Sequence, residues 1–465
     1  MTHRLPLWAA GLVLALALVP SVATGQSIDS AAPTLTREES LRTVRDLRLK
    51  NKPDEAIQAT FRALKDFPND PDLLDELRRS VRQALQANRH RDPDFQSRLM
   101  AMTPSDVLAL YHEVLVKIQT HYVDADKVST TRLLRQGLDE FLVALGDPNF
   151  VAQHMKGTDD SAIAKFRDNV RKAWANREVS TPREAFSVVA EIGSLSKRHL
   201  GMRTINPVVC EFICGACNCL DEYSAYLSDS QYLAESVSAV QMSVHVRLEP
   251  GDVAYIRITH FQPSTPQEID NALKNLAEMG NTRALILDLR GNSGGFFPAA
   301  VKTAERFLPG GVIVTAQGQH DDSNKVYTST AGNAASDLPM VVLVDGETAS
   351  AAEVLAIALR DNQRARLIGM ATFGKGTVQK VLTFTTAEEI DPETGKPRPR
   401  GAVRITLARL IGPNGNPITG VGVAPDQLVP DRERQFDAAL DQAKELARRY
   451  MTRMGMMNMG MRMGD

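Results

Sequence analysis

At Val240 the spacing of apolar residues changes from a helical period to a strand period, and that break governs what the chain can fold into. Upstream, apolar residues recur at helix-face spacing. Leu41, Val44, Leu47 and Leu49 form one such stripe, and Ala56, Ile57, Phe61 and Leu64 another. Val107, Leu110, Val114, Ile118 and Tyr122 form a third, followed by Leu133, Leu134, Leu138, Phe141 and Leu142. Downstream, Val240, Met242, Val244 and Val246 alternate with other residues, the turn Pro250-Gly251-Asp252 follows, and Val253, Tyr255, Ile256 and Ile258 complete a hairpin. Buried strands at 284–289 and 339–344 then alternate with helices at 297–307 and 351–359. The pattern predicts an α/β (α+β) core of mixed sheet with flanking helices, preceded by a mostly α-helical N-terminal region.

A chain of 465 residues is too long for one hydrophobic core. We expect a helical hairpin at 38–92, weakly similar to one tetratricopeptide repeat, and a helical domain at 103–236. The core follows at 237–432, with a closing helix at 433–450. A single repeat cannot bury its own face, so a plain hairpin is the reading at 38–92. The first residues read as an export address: Arg4, an apolar run from Leu7 to Val19, then Pro20 and small residues. This predicts a signal peptide over 1–23, a polar linker over 24–37, and a periplasmic or secreted protein without a membrane span after cleavage. The 54 basic residues against 56 acidic ones, with 5% aromatic content, exclude the footprint of a nucleic-acid binder.

The chemistry begins where an apolar strand runs through Asp345-Gly-Glu-Thr-Ala-Ser350 into a helix. The turn would set Ser350 at a helix N-terminus, where free N–H groups favour developing negative charge, with the Ala351 N–H as one oxyanion donor. Two glycines bracket Lys375, and burial against apolar neighbours is the means by which a lysine becomes a general base. Lys375 and Gln379 are an even number apart, so on an extended strand they face one side, and Gln379 could orient the amine. Gly291-Asn-Ser293-Gly-Gly295 matches the G-x-S-x-G elbow, yet only Glu305 and His320 follow as partners, in a set that an elbow triad cannot use. Ser293 is therefore read as part of a glycine turn, with Gly294 as the second oxyanion donor.

Asp288-Leu-Arg-Gly-Asn-Ser-Gly-Gly295, Thr348-Ala-Ser350-Ala-Ala-Glu353, Arg364-Ala365, Phe373-Gly-Lys375-Gly-Thr-Val-Gln379 and Gly422-Val-Ala-Pro-Asp426 occur in that order. Together they resemble the carboxyl-terminal processing (tail-specific) peptidases, over about Val240 to Pro430. The stretch Leu220-Asp-Glu-Tyr-Ser-Ala-Tyr-Leu227 is similar to that family's helical lead-in. The resemblance implies a Ser–Lys–Gln arrangement on Ser350, Lys375 and Gln379, no cofactor and no catalytic metal, and a structural acid at Asp361. It also implies a PDZ domain, but only 26 positions separate Leu227 from Val253 (253 − 227). That is fewer than the roughly 40 residues an unstapled domain needs. The resemblance therefore points to a variant lacking the PDZ module.

All four cysteines, Cys210, Cys214, Cys217 and Cys219, cluster; export favours disulfides or structural thiols over a metal site. The segment 451–465 holds seven methionines and reads as a disordered tail, with soft-metal binding as the lesser alternative. The sequence thus predicts an exported serine endopeptidase acting on protein or peptide substrates, with the helical region available to an adaptor protein. The rival is a non-catalytic envelope scaffold that binds partners through that helical region.

Overall fold

The structure is a computed structural model that describes residues 35–67, 70–228, 231–232, 242–330, 332, 335–386, 388–390, 395, 397–399 and 401–462. The expected signal peptide, most of the expected linker, Val240 of the expected first strand and the last three residues lie outside the described residues. The chain divides into two compact units, 1–237 with 379–406, and 238–378 with 407–465.

The first unit is helical, as the period upstream of Val240 requires. Its helices are α1 (Arg37–Leu49), α2 (Pro53–Asp66), α3 (Pro71–Arg91), α4 (Pro93–Arg98), α5 (Pro104–His121), α6 (Thr130–Ala144), α7 (Pro148–His154), α8 (Asp160–Trp174), α9 (Pro182–Leu200) and α10 (Asn206–Asn218). Their starts are written in the sequence: proline stands in the first turn of α2, α3, α5, α7, α9 and α10. Thr36 and Glu39 close a capping box on α1. Leu41, Ile57, Leu64, Leu73, Leu77 and Val81 bury the inner faces of α1, α2 and α3. Helices α6 and α10 cross at glycine: a Cβ on Gly215 would lie 2.6 Å from the Gly137 Cα and from the Gln136 carbonyl oxygen.

A polar network lies beneath α3, α6 and α10. The fully buried Glu211 carboxylate accepts from Gln86 Nε2 (2.5 Å) and Arg89 Nη1 (3.0 Å), and His90 Nε2 lies 2.7 Å from it. Cys210, Cys214 and Cys217 are buried on α10, and none of the four cysteines is in a disulfide; of the two expected alternatives, disulfides or structural thiols, the structure has thiols. The reason is geometric: Cβ vectors three and four residues apart on one helix run alongside rather than toward each other. Burial pushes the Cys214 thiol up to about 12 and the Cys219 thiol up to about 11.

Residues 379–406, expected within the core, pack in this first unit. Strand β1 (Ala225–Leu227) pairs with Ala402, Val403 and Arg404. The Glu113 carboxylate accepts from the Thr385 and Thr386 N–H groups at 2.9 and 3.0 Å, which holds it down at about 2.

The second unit is the α/β core of mixed sheet. Its elements are β2 (Val244–Glu249), β3 (Val253–Ile258), α11 (Thr265–Met279), β4 (Ala284–Asp288), α12 (Phe297–Phe307), β5 (Gly311–Gly318), β6 (Lys325–Ser329), β7 (Met340–Val344), α13 (Ala351–Asp361) and β8 (Ala365–Gly369). Strands β9 (Thr377–Thr383), β10 (Glu388–Ile390), β11 (Pro397–Pro399) and β12 (Ala402–Ile411) follow, then β13 (Gln427–Leu428) and α14 (Arg432–Arg462). The main sheet runs β13-β8-β7-β4-β3-β2; only β2 is antiparallel to its neighbour. Every residue of β4 and β7 is buried, which is why both read as unbroken apolar runs. Helices α11, α12 and α13 cover one face, and α14 covers the other with Ala439, Ala443 and Ala447. The C-terminal residues of β12 pair with β5, which pairs with β6. Helix α14 continues through Arg462, so the segment expected to be disordered from 451 is helical in backbone to that point.

Candidate functional site

The site forms where the parallel strands end. The turn between β7 and α13 gives Ser350 φ +56° and ψ −118°. A positive φ in a non-glycine residue costs of order 1–3 kcal/mol and persists only where the surroundings enforce it. Here they do. The buried Asp345 carboxylate accepts from the N–H groups of Gly291, Glu347 and Thr348 at 3.0, 3.0 and 3.1 Å. Thr348 Oγ1 donates to the Leu289 carbonyl (2.9 Å), and the Ala349 N–H donates to the Asn292 carbonyl (2.9 Å). The strand-to-helix elbow carrying a strained serine is thus the one at Ser350, while Ser293 lies exposed on the neighbouring glycine turn.

That glycine turn abuts the serine. A Cβ on Gly294 would sit 2.8 Å from the Ser350 Cβ and 3.1 Å from the Ala351 nitrogen, and its φ of +109° also demands glycine. Ser350, Ala351 and Gly294 are therefore together. The donor expected at Gly294 is engaged, however: its N–H donates to Asn292 Oδ1 at 2.9 Å, while Asn292 Nδ2 is pinned to the Ile258 carbonyl at 2.9 Å. Gly295 differs. Phe261 donates to the Gly294 carbonyl and accepts from the Phe296 N–H, both at 2.8 Å, around Gly295 at the centre of a parallel bridge. The N–H of a central residue in such a bridge points away from its partner.

Sequence reasoning assigned no role to Glu353, and it is the residue that joins the two halves of the site. Its fully buried carboxylate accepts from the Ser350 N–H (2.8 Å) and Lys375 N–H (2.8 Å) on one oxygen. The other oxygen accepts from the Gly374 N–H (2.6 Å) and Thr372 Oγ1 (2.5 Å). The serine elbow and the lysine loop are held by one side chain. Burial pushes this carboxyl up to about 7 against the opposing pull of the four donors. The available signal was Ser350-x-x-Glu353, the spacing of a capping box.

Lys375 is half-buried and lies in an irregular segment, 371–376, ahead of β9, so the strand alternation invoked for Lys375 and Gln379 does not reach the lysine. The segment is braced by the loop at 418–423. Thr372 and Val423 exchange hydrogen bonds (Thr372 N to Val423 O, 3.1 Å; Val423 N to Thr372 Oγ1, 2.7 Å), and Gly420 N donates to Gly374 O at 2.9 Å. Gln379 belongs to the first unit, where its Nε2 donates to Thr406 Oγ1 at 3.2 Å. Asp361 ends α13, roughly 15 Å from Ser350 at 1.5 Å per residue. It pairs with Arg360 (2.8 Å) and accepts from the Asn414 N–H (3.3 Å), a bracing position. Among the described residues no group of three or more His, Cys, Asp or Glu side chains could hold a metal ion.

The site is thus an α/β core with a strained serine between strand and helix, flanked by a glycine turn and clipped to a lysine loop. Residues 252–429 match the model of peptidase family S41. It is 32% identical over 209 residues to the carboxy-terminal-processing protease of Bartonella bacilliformis, covering 43% of this chain and 45% of that protein. It is 36% identical over 204 residues to the carboxyl-terminal-processing protease of Synechocystis, covering 41% and 44%. The match thus spans under half the length of these relatives. Among solved structures, the photosystem II D1 C-terminal processing protease aligns over 70% of this chain and 93% of its own, at 18% identity and a TM-score of 0.44.

Proposed function

We propose that this chain is a serine endopeptidase that cuts polypeptides through an acyl-enzyme on Ser350, with Lys375 as general base. The observation that carries the reading is the Glu353 carboxylate, which grips the backbone of both residues while a strained elbow presents the serine. Neutral Lys375 Nζ takes the Ser350 Oγ proton as the oxygen attacks the scissile carbonyl. The N–H groups of Ala351 and Gly295 receive the oxyanion, Gly294 being engaged elsewhere. Collapse breaks the C–N bond, and Lys375 returns its proton to the leaving amine. Water then gives a proton to Lys375, attacks the ester and releases the acid, and the proton returns to Ser350 Oγ. Gln379 is assigned the orientation of the lysine amine.

Substrates are envelope or secreted polypeptides if the first 23 residues act as an export signal, and the helical region is the candidate surface for an adaptor. No helix among the described residues is long and apolar enough to cross a membrane. The test is kinetic. Ser350→Ala and Lys375→Ala should each lower kcat/KM at least 1,000-fold with an unchanged circular dichroism spectrum. The double variant should be little worse than either single one, because the pair acts as a unit. A Lys375→Ala protein keeping most of its rate would sink the assignment.

A further inference from the structure

We propose that Phe296 is a specificity residue: a shelf for a bulky apolar side chain on the substrate residue adjoining the scissile bond. The inference rests on the peptidase reading above. Phe296 is the residue immediately after Gly295 and is 48% exposed. Its neighbour Phe297 is half-buried and meets Tyr327 edge to face, ring centroids 5.1 Å apart, with the Lys325 ammonium 5.0 Å from the Tyr327 ring centre. The aromatic layer is thus packed into the protein through Phe297 and Tyr327, while Phe296 is left uncovered beside it.

Its position follows from the backbone. Gly294 abuts Ser350, and two residues of extended chain span at most about 7 Å, which bounds how far the Phe296 Cα lies from the Gly294 Cα. Its own N–H is tied to the Phe261 carbonyl at 2.8 Å, which holds the shelf in place relative to the elbow. In the proposed arrangement, a peptide carbonyl bound by the Gly295 and Ala351 N–H groups lays a flanking side chain over this ring. The occupant is therefore an apolar or aromatic side chain of an extended polypeptide. A discrimination of one well-filled apolar subsite against a small side chain is worth about 10- to 200-fold.

The experiment uses the full chain and a set of fluorogenic peptides that differ only in the residues flanking the cut, leucine or phenylalanine against alanine or serine. Wild-type protein should favour the bulky apolar residue on one side of the cut by at least 10-fold in kcat/KM. Phe296→Ala should reduce that ratio to under 3-fold, and Phe296→Leu should restore most of it. A ratio unmoved in both variants overturns the shelf while leaving the peptidase reading intact. Should Phe296→Ala not fold, Phe296→Ser and Phe296→Leu supply the same comparison. A wild-type protein that neither cuts these peptides nor reacts with a fluorophosphonate overturns the parent reading, and the shelf with it.

Discussion

At the scale of single residues, Glu353 has the sharpest consequences. All four of its partners are donors, so replacing an oxygen with an amide sets an N–H₂ group against two of them in either orientation. Buried donors without acceptors cost about 1–3 kcal/mol each. Glu353→Gln should therefore lower unfolding free energy by about 2–4 kcal/mol and kcat/KM by at least 100-fold, read by denaturant titration and peptide cleavage. Glu353→Asp should not rescue it, because a shorter side chain cannot reach both loops. The titration gives a second prediction. The carboxyl binds its proton more tightly folded, at about 7, than at its ordinary 4.5. Its contribution to stability is thus fully present below about 4.5 and is lost as pH rises through about 7. Activity should run the other way, since protonation below about 7 removes an acceptor from the clip, and Lys375 must shed its own proton to act. Opposite slopes of stability and of kcat/KM are expected between about pH 4.5 and 7; parallel slopes there would count against the clip. The place of Ser350 at a strand-to-helix turn was legible from its motif. The reach of Glu353 to Gly374 and Lys375, 21 and 22 residues onward (374 − 353 and 375 − 353), was not, since nothing local marks a long-range hydrogen bond. The N–H of Gly294 was misjudged for a related reason: its acceptor is the side chain of Asn292, two residues back, and a turn motif does not say which N–H stays unbonded.

At the scale of elements, the readable parts were those whose burial imposes a simple pattern. Strands β4 and β7 are buried on both faces and appear as continuous apolar runs; the proline-led helices of the first unit announce their own starts. Strand β12 was not readable, because its first residues pair with β1 in one unit and its last with β5 in the other. Helix α10 shows why clustering alone does not decide between cross-links and thiols: Cys210, Cys214 and Cys217 lie along one helix as buried thiols. What sets that packing is the glycine crossing of α6 and α10. Gly215→Ala places a methyl group 2.6 Å from backbone atoms of Gln136 and Gly137, which cannot yield without moving the helix. A loss of about 2–3 kcal/mol in denaturant unfolding is expected, against a change under 1 kcal/mol for an alanine at the exposed Gly280 were its conformation tolerant; there the left-handed φ of +74° sets the cost instead.

At the scale of the whole molecule, the first unit is mostly helices with short strand pairings, and the second is the α/β core that carries Ser350 and Lys375. The 25 residues between Leu227 and Val253 are fewer than the roughly 40 that an unstapled domain needs to capture a free carboxyl terminus by strand addition. Cleavage should therefore depend little on that terminus: a peptide and its C-terminally amidated twin should be cut at rates within about 3-fold. A far larger loss on amidation would reveal a carboxylate pocket elsewhere in the chain. The central claim, that Ser350 is the nucleophile and Lys375 activates it, is tested most directly by mapping a covalent adduct. Wild-type protein treated with a fluorophosphonate should gain one adduct by intact mass, located by peptide sequencing on Ser350, with labelling at least 100-fold slower in Lys375→Ala. An adduct on Ser293, or labelling of Lys375→Ala at the wild-type rate, would contradict it.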